Sequence, residues 1–111
     1  VSSGLEEFRN KVVEDFHQSR DGLLRRVQSL VPEARVHDIA LYGSYRYPVG
    51  HPLGPTEESD VDLAIHHRGN MTDDQVYDSL SGQLYGLGGF YDIIPLHDNN
   101  KGKSLVEKWY M

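Results

Sequence analysis

The sequence predicts an α/β (α+β) fold, a small mixed β-sheet of three or more strands with helices packed on one face. Three observations predict it. Apolar residues recur at three- and four-residue steps from Leu5 to Leu30, the helical period. Three short apolar runs, Val36 to Tyr42, Asp60 to His66 and Phe90 to Leu96, read as strands. The helical and extended segments are interleaved along a chain of 111 residues, a length that suits a single domain spanning 1–111 and leaves no room for a second core.

Taken in order, Ser3 followed by Glu6 reads as a capping box opening a long amphipathic helix over about residues 4 to 30. Its stripe is Leu5, Phe8, Val12, Phe16, Leu23, Val27 and Leu30. Asp21-Gly22 is a weak point, although the stripe resumes in phase beyond it. Val31-Pro32 ends the helix, because a residue before proline is pushed out of helical geometry. Strand one follows, with Tyr42 expected to pack inside at its end. Tyr45 to Ser59 is a spacer of fifteen residues holding Pro48, Pro52, Pro55, Gly50 and Gly54, read as a loop beside the site. After strand two, His67-Arg68-Gly69-Asn70 reads as a turn. Thr72 as N-cap, with Asp73 and Asp74 in the first turn, starts a second helix whose apolar face is Val76, Leu80 and Leu84. Tyr85-Gly86-Leu87-Gly88-Gly89 is a helix-to-strand connection, since it lacks the strand-before, helix-after context of a phosphate loop. Strand three carries Asp92, and a loop over 97–102 precedes a short helix from Ser104 to Tyr110.

Composition excludes several classes of function. Seventeen acidic against eleven basic side chains give a net charge of −6, which argues against a broad nucleic-acid surface while leaving a localised basic patch open. Cysteine is absent, so disulfides, thiolate metal sites and a cysteine nucleophile are excluded. No stretch of 18 apolar residues and no signal-peptide pattern is visible, so no membrane association and a cytoplasmic location are expected. The chain opens on Val1-Ser2-Ser3-Gly4 rather than Met, as expected of an excised domain or a processed fragment.

The chemistry concentrates in two places. On a strand, Asp60 and Asp62 point the same way, roughly 7 Å apart, and repel each other. Such a pair is tolerated where a divalent cation neutralises it, and Mg²⁺ takes hard oxygen ligands while keeping positions for substrate phosphates. Gly43, ending strand one, allows close backbone approach to a ligand, and the amides around Gly43-Ser44 can donate to phosphate oxygens. Asp92 is the only acid on strand three. Each residue also has a plainer reading: a solvated strand face for Asp60 and Asp62, a turn serine for Ser44, and for Asp92 a turn cap or an ion pair with Arg35 or Arg46. His51, His66, His67 and His97 match no metal-ligand spacing, and neighbouring histidines on a strand face opposite ways, so surface or supporting positions are expected. Lys101 and Lys103 either meet phosphate or are solvated. Tyr42, Tyr45 and Tyr47 cluster near Gly43-Ser44, where an aromatic ring can stack on a base.

The order apolar strand, Gly43-Ser44, spacer, Asp60-Val61-Asp62 in an apolar strand and Asp92 on a later strand resembles the nucleotidyltransferase superfamily with the DNA polymerase β-like fold. In size the chain is similar to the minimal nucleotidyltransferases, and the resemblance runs from about Ile39 to Leu96. It implies a metal-dependent transferase that moves a nucleoside monophosphate, AMP from ATP or another nucleoside triphosphate, to a hydroxyl. Asp60, Asp62 and Asp92 would be the catalytic and magnesium-binding residues, holding two Mg²⁺ ions, and Gly43 and Ser44 would bind the nucleotide. The acceptor would be a protein, as where an antitoxin modifies its toxin, or a small molecule such as an aminoglycoside; related enzymes act on RNA ends. The alternatives are a non-catalytic antitoxin or adaptor that docks a partner protein through the first helix, and an RNA-directed transferase or effector domain. Two departures stand out. The spacer is longer than in minimal members, and Arg46 stands one position earlier than the family's arginine, so no role is carried over to it.

Overall fold

The computed structural model describes residues 3–100. Lys101, Lys103 and the expected helix from Ser104 to Tyr110 lie outside them. Helix α1 runs Ser3–Leu30 without interruption. Gly22 is on its exposed side, so the missing side chain costs about 1 kcal/mol of propensity while Val12, Phe16 and Val27 remain in the core. Each buried apolar side chain contributes about 1.5–3 kcal/mol, and the helix therefore continues. The predicted stripe is wider than the buried one: Phe8 and Leu30 are 40% and 39% exposed.

A 3-10 turn, Pro32–Ala34, leads through Arg35, whose φ of 51° is left-handed, into strand β1, Val36–Tyr42. A second 3-10 turn, Gly43–Arg46, opens the spacer. Strand β2 is Asp62–His67, and α2 is Asp73–Leu80 with Thr72 and Gln75 in a reciprocal capping box. Then come β3, Tyr85–Gly86, and β4, Gly89–Phe90, paired as a hairpin, and β5, Asp92–His97. The main sheet has the order β1-β2-β5, antiparallel between β1 and β2 and parallel between β2 and β5. The described residues form a mixed α+β fold with two helices and a small mixed sheet.

Alternation along the strands divides the two faces. Ile39, Leu63, Ile65 and Ile93 join Val12, Phe16 and Val27 of α1 and Val76 and Leu80 of α2 in one core, so both helices cover the same face. Asp62 and its register partners Tyr42 and Asp92 belong to the opposite alternation.

Four expectations are corrected. Strand two begins at Asp62 rather than Asp60, because β1 pairs only as far as Tyr42↔Asp62 and the chain then turns away at Gly43. Helix α2 stops at Leu80, where Gly82 adopts φ 75°, and buried Leu84 belongs to the connection. Strand three begins at Asp92 rather than Phe90, which belongs to β4; the glycine-rich run is the expected connection from helix to strand, folded as a hairpin anchored to α1, the Leu87 amide donating to Asp15 at 2.9 Å. A Cβ at Gly86 would lie 2.5 Å from the Tyr91 hydroxyl, so close packing accounts for glycine there. Finally, His67 is fully buried rather than a turn or surface residue; its Nε2 lies 2.7 Å from Asp73 Oδ1, and Asp73 also accepts the His97 amide and the Asn100 side chain. His97 in turn bonds the Gly69 carbonyl and His51 stacks on Tyr47, so these histidines support loops.

Candidate active site

The site forms at the end of β2 where β1 leaves the sheet. Asp62 is the register partner of Tyr42 on one side and Asp92 on the other. The Asp92 amide donates to the Val61 carbonyl at 2.8 Å, fixing the start of β5 against the segment that carries Asp60. Asp92 is exposed and makes no ion pair among the described residues, so the competing pairings with Arg35 or Arg46 do not form. Asp60 precedes the strand and is exposed, yet remains close enough for its charge to act on Asp62 and Tyr45. Asp92 and Asp60 thus both lie within electrostatic reach of Asp62, Asp60 from the segment before the strand rather than by strand alternation.

Crowding has an electrostatic signature. Partial burial, then the charges of Asp92 and Asp60, push the Asp62 carboxyl up from 3.8 to about 6. Removing a carboxylate from water and surrounding it with like charge both disfavour ionisation. The set is all hard oxygen, which is the donor chemistry of Mg²⁺. Among the described residues no three His, Asp or Glu side chains stand in a metal-holding group, and Mg²⁺ commonly takes one or two carboxylates with water and substrate phosphates completing its shell.

Gly43 and Asp62 are fitted to each other. Gly43 has φ 68°, and a Cβ on it would collide with Asp62 Oδ2. Glycine is therefore required twice, for backbone geometry and for room beside the carboxylate. Ser44 sits in the 3-10 turn with its carbonyl accepting the Tyr47 amide, and its hydroxyl makes no hydrogen bond among the described residues.

Two side chains near the turn were not assigned from the motif. Arg46 donates from Nε to the Gly43 carbonyl at 3.4 Å, and its guanidinium lies 4.8 Å from the centre of the Tyr42 ring and 5.4 Å from that of Tyr47. A cation thus stands beside Gly43-Ser44, held by two rings; the tyrosines flanking Arg46 were the visible signal. Tyr45, rather than Tyr42, is the ring that packs inside, 2% exposed, and Arg9 of α1 donates to its carbonyl at 3.2 Å. Tyr42, the register partner of Asp62, belongs to the alternation opposite the core, so the inward-facing ring is Tyr45 in the turn that follows.

No family model, curated protein or solved structure matches the chain.

Proposed function

We propose that the chain is a metal-dependent nucleotidyltransferase that moves a nucleoside monophosphate, AMP from ATP, to a hydroxyl of a protein or small-molecule acceptor. The observation that carries this reading is that Asp62 stands in register with Asp92, feels the charges of Asp92 and Asp60, and packs against a glycine that makes room for it. Burial and the charges of Asp92 and Asp60 raise the cost of ionising Asp62, and a divalent cation would relieve that cost.

Asp60 and Asp62 would hold the metal on the nucleotide side and Asp92 would complete the acceptor side. When bound, Mg²⁺ supplies charge neutralisation for the triphosphate and acidifies the acceptor hydroxyl. The chain's own groups supply the rest. The turn at Gly43-Ser44 would offer backbone amides to phosphate oxygens, the Ser44 hydroxyl would donate to one of them, and Arg46 would offer a positive charge where pyrophosphate leaves. Asp92, exposed and unpaired among the described residues, can take the acceptor's proton.

Calorimetric titration of the protein with a non-hydrolysable ATP analogue, with and without Mg²⁺, tests the nucleotide half of the proposal. Saturable binding that needs Mg²⁺ and is lost in Asp62→Asn is expected. Equal binding by wild type and Asp62→Asn would exclude these acids as the nucleotide site.

A further inference from the structure

At the opposite end of the sheet a cavity of about 330 Å³ is walled by Arg35, Arg68, His37, Gln28, Pro32 and Val36. Among the described residues, none that lines it is a carboxylate. Two other cavities differ: one places Asp21 with Arg25 and Arg26, and another holds Asp73 and Asp74 without an arginine. In a chain of net charge −6, two arginines in one concavity without an acid need an explanation.

The donors already in use are His37, whose Nε2 lies 3.0 Å from Asp98 Oδ1, and Gln28, which donates to the Val36 carbonyl at 2.9 Å. The side chains of Arg35 and Arg68 make no ion pair or hydrogen bond among the described residues. Their backbones are nevertheless fixed to each other. The amides of Arg68 and Gly69 both donate to the Ala34 carbonyl, at 3.2 and 2.8 Å, and Asn70 donates to the Glu33 carbonyl at 3.0 Å. A Cβ at Gly69 would collide with the Glu33 carbonyl, so glycine permits this close approach of the two loops. Arg35 closes its turn at φ 51°, with its amide on the Pro32 carbonyl. Two mutually bonded loops thus hold the backbones of Arg35 and Arg68 at one cavity, so that binding has to order their side chains but not the loops.

We propose that this cavity is a binding site for the phosphoryl group of a small phosphorylated molecule. Two guanidiniums match a dianion in charge, and each fork pairs with two oxygens of a tetrahedral phosphoryl group. The cavity is separate from the acid site. Val36↔His67 lies at one end of the β1–β2 pairing and Tyr42↔Asp62 at the other, so about 17 Å of strand divides them. The site therefore does not depend on the nucleotidyltransferase reading.

Titrating inorganic phosphate, and separately a sugar phosphate, into ¹⁵N-labelled protein at constant ionic strength tests the proposal. The readout is the amide signals of Arg35, Arg68 and Gly69 and the arginine Nε signals. Saturable shifts confined to these residues are expected, with affinity reduced about tenfold by Arg35→Gln or Arg68→Gln, the loss of one charge-assisted contact. Arg25→Gln should bind as wild type, and Arg68→Lys, which keeps the charge but not the fork, should bind between wild type and Arg68→Gln. Shifts that sodium chloride reproduces, or that survive in the double glutamine variant with its spectrum otherwise unchanged, would overturn the site. Citrate binding as tightly as phosphate would overturn the phosphoryl assignment, and an RNA oligonucleotide binding far more tightly than a sugar phosphate would overturn the small-molecule one.

Discussion

Replacing Asp62 by Asn should make the metal-free protein more stable at neutral pH, and the gain should vanish in acid. Burial and the charges of Asp92 and Asp60 raise the Asp62 carboxyl from 3.8 to about 6 in the fold. Between those values the unfolded chain has lost the proton that the folded chain keeps. Stability therefore falls as pH rises from 3.8 to about 6, then levels off. At about 1.36 kcal/mol per pKa unit the whole difference corresponds to about 3 kcal/mol. Asp62 is only partly buried, and solvent screening brings the expected penalty down to about 1–2 kcal/mol. Asparagine copies the neutral acid in size, so Asp62→Asn should recover that amount at about pH 7.5 and nothing at about pH 4. Urea unfolding of both proteins in EDTA at the two pH values measures it, through a shift in midpoint without a change in slope. Adding Mg²⁺ should narrow the neutral-pH gap by stabilising wild type. A gap of equal size at both pH values would mean that packing, not charge, distinguishes the two side chains. No gap at neutral pH would refute the crowded-carboxylate description.

Four further predictions concern the acid site and the buried His67–Asp73 pair at the other end of the sheet. Asp92→Asn should slow transfer strongly while preserving much of the nucleotide affinity, which rate measurements beside calorimetry will separate. Gly43→Ala should cost more than about 1–2 kcal/mol, the left-handed backbone penalty alone, because the new methyl also meets Asp62; melting curves should show partial rescue in Gly43→Ala/Asp62→Ala, and strict additivity would count against the contact. Asp73→Ala strands the His67 ring, the His97 amide and the Asn100 side chain and should cost at least about 3 kcal/mol. Burial lowers the His67 pKa from 6.5 despite Asp73, so its contribution to stability should shrink as pH drops below 6.5; denaturation profiles that rise in that range in wild type but not in His67→Leu would contradict this.

What was legible in the sequence was periodic or local. Strand β1 has its predicted bounds, Val36–Tyr42, because an apolar run is closed by proline-led and glycine-led turns. Helix α1 and the Thr72 cap follow from a repeating stripe and a short-range capping pattern. What was not legible depended on partners distant in the chain. Asp60 falls outside the strand because pairing with β1 stops at Tyr42, a fact of register rather than propensity. His67 is buried because Asp73 and the β5 end supply its surroundings, whereas the doublet His66-His67 alone suggested a surface turn. The hairpin at 85–90 needs Asp15, some seventy residues earlier, to hold it. Arg46 was set aside on spacing within the motif, but the Tyr42 and Tyr47 rings put it beside Gly43. The candidate acids themselves were legible because their motif spans two strands that become direct register neighbours, Asp62↔Asp92.

The most direct test of the proposed activity is transfer itself. Wild-type protein is incubated with α-labelled ATP and Mg²⁺, alone and with a cell extract, beside Asp60→Asn, Asp62→Asn and Asp92→Asn and beside EDTA. Label moving covalently to a protein or small molecule, with release of pyrophosphate, is expected for wild type in Mg²⁺ and in none of the other reactions. Labelling by all three variants at the wild-type rate, or undiminished labelling in EDTA, would contradict a metal-dependent nucleotidyltransferase built on Asp60, Asp62 and Asp92.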